Sequence, residues 1–331
     1  MKITVVGGFH VKYDIPENYK LAEGESASDH SICSATLALT KSLSLAGYNA
    51  EMWQGGSITG DLVICNEFNF MDLATKRGWD ISKPTIVWLH STRPSRIFSG
   101  EELVKKAAGI CFTRKEAMNT FKAKFGGKNL WHLPWGFPDW WTTPPTLPNP
   151  YAPNTKNIIY AGRLMSGPLP KRLNEIAKQF KDVQVNVITN TPYKNCSQFM
   201  KEPNINFIGS KVHGTFNNYI YYADLAIDMS LSYKKESNNC KIWDYLALGC
   251  PIVTEYPLGG DEIIHATGNG ILVPFRQKEI YMEAVKKGLN SNYPREKTIE
   301  YMRNNYAYDK IFADKLIPKV KVIVNNIIGK K

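Results

Sequence analysis

Seven prolines fall between residues 134 and 153 (Pro134, Pro138, Pro144, Pro145, Pro148, Pro150 and Pro153) and divide the chain into two stretches of similar pattern. Proline fixes φ and lacks an N–H, so a segment this dense in it excludes regular helix or strand and reads as a semi-rigid linker. On either side, short apolar runs alternate with helical segments. Before the prolines, strands are expected at Ile3–Val6, Asp61–Cys65, Thr85–Leu89 and Gly109–Phe112. Helices are expected at Ser31–Ala46, closed by Gly47, and near Glu101–Ala108. After the prolines, strands are expected at Asn157–Ala161, Val183–Thr189, Ile205–Ile208, Leu225–Asp228 and Pro251–Val253, with a helix from about Lys171 to Phe180. Apolar runs without polar alternation belong to parallel strands buried on both faces, and helices between them make an α/β fold with a doubly wound sheet. A chain of 331 residues exceeds the usual single core. The expected division is residues 1–150 and 151–300, followed by a helical tail.

Charge is unevenly shared between these halves. Residues 1–154 hold 16 basic and 14 acidic side chains, whereas residues 155–331 hold 25 and 16, within a net charge of +11. Inside the first half, Arg93, Arg96, Lys105, Lys106, Arg114, Lys115, Lys122, Lys124 and Lys128 face only Glu101, Glu102 and Glu116. Such a stretch attracts a polyanion at long range, and it equally describes a lysine-rich solvated face. No apolar run has the length of a membrane span, and MKITVVGG enters a strand pattern without a signal-peptide layout. The six cysteines lack any C-x-x-C pair and sit mostly among apolar neighbours. They read as small core residues of a reducing cytoplasm rather than as disulfides or metal ligands. No Asp-x-Asp pair of the kind that holds a metal beneath a diphosphate occurs, so no metal site is expected.

The densest chemistry lies in ESNNCKIWD, where Glu236 and Asp244 stand eight positions apart, followed by YLALGCPIVTE and then Gly259-Gly260. On a helix entered just after Glu236, that span is a little over two turns, so both acids address one cleft. A carboxylate there is placed to accept hydrogen bonds from a sugar diol. The passage resembles the donor-binding signature of the GT-B glycosyltransferases, in particular the retaining Glu-x7-Glu (GT4-like) group, with Asp244 in place of the second Glu. The resemblance implies two Rossmann-like domains facing each other across a cleft, with a last helix (about 300–331) that crosses back to the first domain. It also implies that Glu236 addresses the transferred sugar and Asp244 the ribose of a nucleotide-sugar donor.

Other positions gather around the same chemistry. Gly7-Gly8 follow the first strand, where glycines let a ligand approach the backbone; a plain turn is the simpler reading. His90 ends the strand Thr85–Leu89, at the carboxyl edge where open sheets bind ligands. Tyr160-Ala161-Gly162-Arg163, with Lys171 eight residues on, resembles the family's Gly-Arg-Leu turn and downstream lysine. Arg163 and Lys171 are thereby assigned to the charge of the leaving diphosphate. Lys241 lies one helical turn before Asp244, placed to pair with it or to touch phosphate. Gly259-Gly260-Asp261-Glu262 matches a family loop ahead of a helix, with Asp261 the expected cap. Asn206-Phe207-Ile208-Gly209 resembles the strand and turn that frame the nucleobase. Trp131, Trp135, Phe137, Trp140 and Trp141 cluster before the linker and are read as packing rather than as a stacking platform.

These residues lead to an expected glycosyltransferase, metal-independent and retaining by resemblance, that uses no cofactor beyond a UDP- or GDP-sugar as substrate. The expected acceptor is a hydroxyl of a surface or envelope glycan, with peripheral membrane contact, or of hydroxymethylated duplex DNA. A nucleotide-sugar epimerase of the same fold and a non-catalytic nucleic-acid-binding protein are the competing classes.

Overall fold

The computed structural model describes residues 1–7, 30–53, 56–66, 68–76, 78–79, 81–89, 97–162, 164, 168–189, 191–209, 213–229, 240–256 and 260–329. The first half contains β1 (Lys2–Val6), α1 (His30–Leu45), β2 (Asn49–Met52), β3 (Leu62–Asn66), α2 (Phe68–Lys76) and β4 (Thr85–Leu89). It continues through α3 (Gly100–Lys106), β5 (Gly109–Phe112), α4 (Lys115–Phe125) and β6 (Leu130–His132). These strands form a six-stranded sheet in the order β2-β1-β3-β4-β5-β6, every pairing parallel. Its inner strands β3, β4 and β5 are buried along their whole length.

The second half repeats the plan. It comprises β7 (Lys156–Ala161), α5 (Pro168–Gln179), β8 (Val183–Ile188), β9 (Ile205–Gly209), α6 (His213–Tyr222), β10 (Leu225–Asp228) and α7 (Lys241–Ala247). Next come β11 (Ile252–Tyr256), α8 (Asp261–Thr267), β12 (Gly270–Pro274) and α9 (Lys278–Leu289). The sheet order is β12-β11-β10-β7-β8-β9, again all parallel. Strands run outward from β7 on one side and from β10 on the other, so the order reverses between β7 and β10. A crevice opens at the carboxyl ends of the strands flanking such a switch point.

The tail is α10 (Arg295–Tyr306), α11 (Tyr308–Ile311), a π-helical turn at Phe312–Leu316 and α12 (Ile317–Ile328). It returns to the first sheet. Trp88 of β4 meets Tyr308 and Phe312 edge-on, with ring centroids 6.4 and 5.7 Å away, and Tyr308 stacks on Phe312 at 5.3 Å. Phe137 is bridged to Ala307, its N–H donating to the Tyr306 carbonyl while the Tyr308 N–H donates back to Phe137. Trp135, Phe137 and Trp141 are buried in the same apolar cluster as Ile3, Leu39, Trp88, Ile159, Leu246 and Phe312. Trp135, Phe137 and Trp141 are therefore packing, with Trp131 against them, while the Trp140 side chain lies outside the described residues. The proline segment itself is pinned to the second half, where Tyr151 Oη donates to the Tyr219 carbonyl and Asn218 Nδ2 to that of Pro148.

Several boundaries differ from expectation, among them β11, which runs Ile252–Tyr256 where Pro251–Val253 was expected. Helix α5 begins at Pro168 rather than near Lys171, because proline suits a first turn whose N–H groups have no intrahelical partner. Edge strands β2 and β6 escaped the sequence pattern, since their residues are half-buried or exposed and form no apolar run. Trp88 is 1% exposed and its Nε1 donates to the Leu133 carbonyl at 3.2 Å. Trp88→Ala is expected to cost about 3–5 kcal/mol, measured as a lowered urea midpoint at unchanged slope.

Candidate active site

At the switch point, β7 ends in Tyr160-Ala161 and β10 in Asp228, both rows leading into the crevice. Helix α7 closes it from above. Five of its seven residues are buried (Ile242, Trp243, Tyr245, Leu246 and Ala247), leaving Lys241 and Asp244 as the partly exposed positions. Residues three apart on a helix share a face, so the two polar side chains project from one side of the first turn. Tyr245 fixes that turn: its hydroxyl accepts from the Ala161 N–H at 2.7 Å and reaches the Ala161 carbonyl at 3.3 Å.

Lys241 does not take the partner expected from sequence. Its ammonium pairs with Asp228 Oδ1 at 3.2 Å and donates to Tyr160 Oη at 3.1 Å, while lying 4.4 Å from the Tyr160 ring centre. Asp244 is its neighbour along the helix, but Asp228 is its ion-pair partner. The reason is depth: Asp228 is fully buried, and an unpaired carboxylate there would be strongly penalised. Burial opposes the Lys241 charge, yet interaction with Tyr160 and Asp228 outweighs it and holds the pKa well above the usual lysine value. Asp244 shows the opposite balance. Burial pushes its carboxyl up to about 7, against the pull of the Lys241 ammonium.

Around this pair stand two glycines. A Cβ on Gly162 would lie 3.1 Å from Lys241 Nζ, and Gly162 has φ of 147°. A Cβ on Gly260 would lie 2.4 Å from Ile242 of α7, and Gly260 has a left-handed φ of 75°. Gly260, not Asp261, is the cap of α8, and no side chain caps that helix. The structure thus gathers Gly162, Lys241, Asp244 and Gly260 at one place. The expected helix entered just after Glu236 is, in the structure, α7 beginning at Lys241 with Cys240 at its cap.

The remaining expected residues are dispersed or not described. Lys171 is exposed in the first turn of α5, with its ammonium 5.3 Å from the Phe199 ring centre. Its neighbour Arg172 turns inward instead, pairing at 2.8 Å with Glu255, a fully buried carboxylate of β11. Gly209 ends β9 with φ of 78°, a turn conformation that favours glycine. Gly7 ends β1 at the other sheet's switch point, where a Cβ would meet Thr36 Oγ1 at 2.7 Å and Asn66 at 3.0 Å. The close approach there is to the protein's own scaffold. Gly8, His90, Arg163, Glu236 and Gly259 lie outside the described residues. Asp228 and Glu255 were missed in the sequence, although a charged residue within the apolar runs LAID and PIVTEY was a signal that each needed a buried partner.

The Asp244 shift sets a pH dependence. Its folded pKa of about 7 lies above the ordinary value of 3.8, so ionising it in the folded state costs stability. That cost is absent below the ordinary value, grows through the interval between the two, and is complete above about 7. Asp244→Asn is expected to raise the thermal midpoint at roughly pH 8 and to lose the advantage progressively toward roughly pH 4. A midpoint difference that does not vary with pH would remove the assignment.

The family of group 1 glycosyl transferases matches residues 155–291, the part of the chain that contains the second sheet and α7. Structures of similar fold include a glycosyltransferase from Rickettsia africae ESF-5, with a TM-score of 0.70, 13% identity and coverage of 100% of this chain and 99% of that one. Sucrose-phosphate synthase from Thermosynechococcus elongatus gives a TM-score of 0.68 at 10% identity, covering 100% and 99%. HepE from Anabaena in complex with UDP-glucose gives 0.64 at 11% identity, covering 98% and 100%. No curated protein matches the sequence. The two parallel sheets and the switch-point crevice give this chain the GT-B fold, and its residues 155–291 match the group 1 glycosyl transferases.

Proposed function

We propose that the protein moves a sugar from a UDP- or GDP-sugar to a hydroxyl acceptor, with the donor held by the second domain (about 151–300) and the acceptor presented by the first (about 1–150). The observation that carries this reading is the first turn of α7, which presents one cation and one carboxylate at the switch point of a group 1 domain. A carboxylate there suits a ribose diol and a cation suits phosphate. The structural relative HepE is seen in complex with UDP and UDP-glucose, which supports a nucleotide-sugar donor here. Glu236, by its spacing from Asp244, is assigned to the transferred sugar. His90 is assigned to the reacting hydroxyls by its place after β4. Arg163 and Lys171 are assigned to the leaving diphosphate, with Gly8, Gly209 and Gly259 lining the donor's path.

The transfer is retaining and metal-independent in this reading, on the Glu-x7-Glu spacing and the absence of an Asp-x-Asp pair in the sequence. Catalysis then rests on holding donor and acceptor together and on stabilising the departing charge. No cofactor takes part. Among the described residues no helix is long and apolar enough to cross a membrane. The enzyme works in the cytoplasm on this reading.

The acceptor is a surface or envelope glycan, or hydroxymethylated duplex DNA. Exposed lysines favour the polyanion. Lys105, Lys106, Lys115, Lys122, Lys124 and Lys128 on and around α3 and α4 all lie at the surface, within a chain of net charge +11. Phosphate contacts would make duplex binding fall steeply with salt.

Incubating the enzyme with a nucleotide-sugar panel, simple glycans and hydroxymethylated duplex DNA should give a product heavier by one sugar, read by mass spectrometry. Glu236→Ala should abolish that product at an unchanged thermal midpoint. Turnover of that variant at the wild-type rate would refute the assignment, and donor alteration without any acceptor would indicate an epimerase. Salt-insensitive or absent duplex binding would remove the DNA acceptor and leave the glycan.

A further inference from the structure

Within the donor reading just given, on which this inference rests, we propose that Lys241 contacts the donor's diphosphate directly and that Asp228 and Tyr160 are its positioning residues. Lys241 was placed between two roles by sequence, pairing with Asp244 or touching phosphate; the geometry decides in favour of the second.

The first observation is place. The carboxyl ends of the two switch-point strands are where an open parallel sheet receives a ligand. Lys241 spans those ends, bonded to Tyr160 of β7 and to Asp228 of β10. Its ammonium abuts Gly162, the residue that follows β7, so closely that a Cβ there would come within 3.1 Å. Any side chain at this position would crowd the ammonium.

The second observation is depth. The Lys241 side chain is 15% exposed, whereas the Asp228 side chain is 0% exposed. The carboxylate is thus the more deeply hidden half of the pair. An ammonium has three donors. Two are taken by Asp228 and Tyr160, and the third is left for a ligand. Asp228 and Tyr160 together fix the position of the charge.

The third observation is spacing. Asp244 lies three residues on, on the same helix face and next to the Lys241 charge. Side chains three apart project about 5–6 Å from one another, which suits the adjacent phosphate and ribose of one nucleotide. Lys171, the lysine first assigned to the diphosphate, lies with its ammonium over Phe199.

The test separates phosphate from the rest of the nucleotide. Isothermal titration of UDP, GDP and ADP is compared with titration of the matching nucleosides uridine, guanosine and adenosine. Lys241→Gln should weaken the preferred nucleoside diphosphate roughly 10- to 100-fold, the range of a hydrogen bond to a charged group, and leave its nucleoside unchanged. Lys241→Arg should restore part of the loss. Because Lys241→Gln removes the ion-pair partner of the buried Asp228, the double variant Lys241→Gln/Asp228→Asn is measured too; it removes both charges and should show the same selective loss at a near-wild-type thermal midpoint. Equal weakening of diphosphate and nucleoside, or wild-type diphosphate affinity in the double variant, overturns the proposal. Wild-type protein that binds none of the diphosphates overturns the donor reading itself, a failure distinct from either of these.

Discussion

Asp228 ends β10 with its carboxylate withdrawn from solvent, and the mouth of the second sheet is arranged around that charge. A buried carboxylate persists only with a partner of good geometry. The partner comes from α7, the element that follows β10 in the chain, and the pairing ties helix to strand where the strand order reverses. Tyr160 adds a bond from the neighbouring strand, so that one ammonium joins three elements. Tyr245 repeats the tie one helical turn later through both polar groups of Ala161. The helix is short, at seven residues, and propensity alone would not sustain it. Burial of one face and these polar anchors hold it instead.

A second constraint joins the halves of the molecule. The apolar cluster is continuous from Ile3 and Leu39 beside the first sheet, through Trp88, Trp135 and Tyr308, to Ile242 and Leu246 of α7. Trp243 of α7 also meets Tyr306 of the tail, with ring centroids 6.4 Å apart. The helix that carries Lys241 and Asp244 therefore packs on its other side against the seam between the sheets. Separating the sheets at this seam would expose large aromatic surface.

What could be read from the chain follows from how many faces of each element are buried. Strands β4, β5 and β10 were placed to the residue, because both faces are covered and the sequence is mostly apolar, with its one charge at Asp228. The edge strands β2 and β6 carry residues such as Asn49, Glu51 and His132 and lack that signature. At the site, Asp244 and Lys241 stood out through their spacing, whereas Lys241's true partner did not. Asp228 is thirteen positions upstream on another element, and only the parallel pairing of β7 with β10 brings it beneath the helix. Similarly, Lys171 and Arg172 are neighbours in sequence, but helical geometry sends one to solvent and the other to Glu255. Periodicity reports which face a residue occupies; it does not report which distant charge waits there.

The two partly buried polar groups of α7 differ in charge behaviour. Lys241 stays cationic across the physiological range because Tyr160 and Asp228 outweigh its burial. Burial outweighs the pull of Lys241 on Asp244 and lifts its carboxyl to about 7. A fixed cation suits a group such as phosphate, whose negative charge is present throughout. A carboxyl that exchanges its proton near pH 7 suits a neutral diol, with which it can hydrogen-bond as acceptor or donor. Glycosyl transfer without covalent help from the protein depends on position, and small displacements of a bound donor are costly in rate. Both side chains issue from one turn, and that turn is anchored to β7 and β10 through Tyr160, Ala161 and Asp228. A displacement of α7 would therefore move Lys241 and Asp244 together, preserving their spacing to each other.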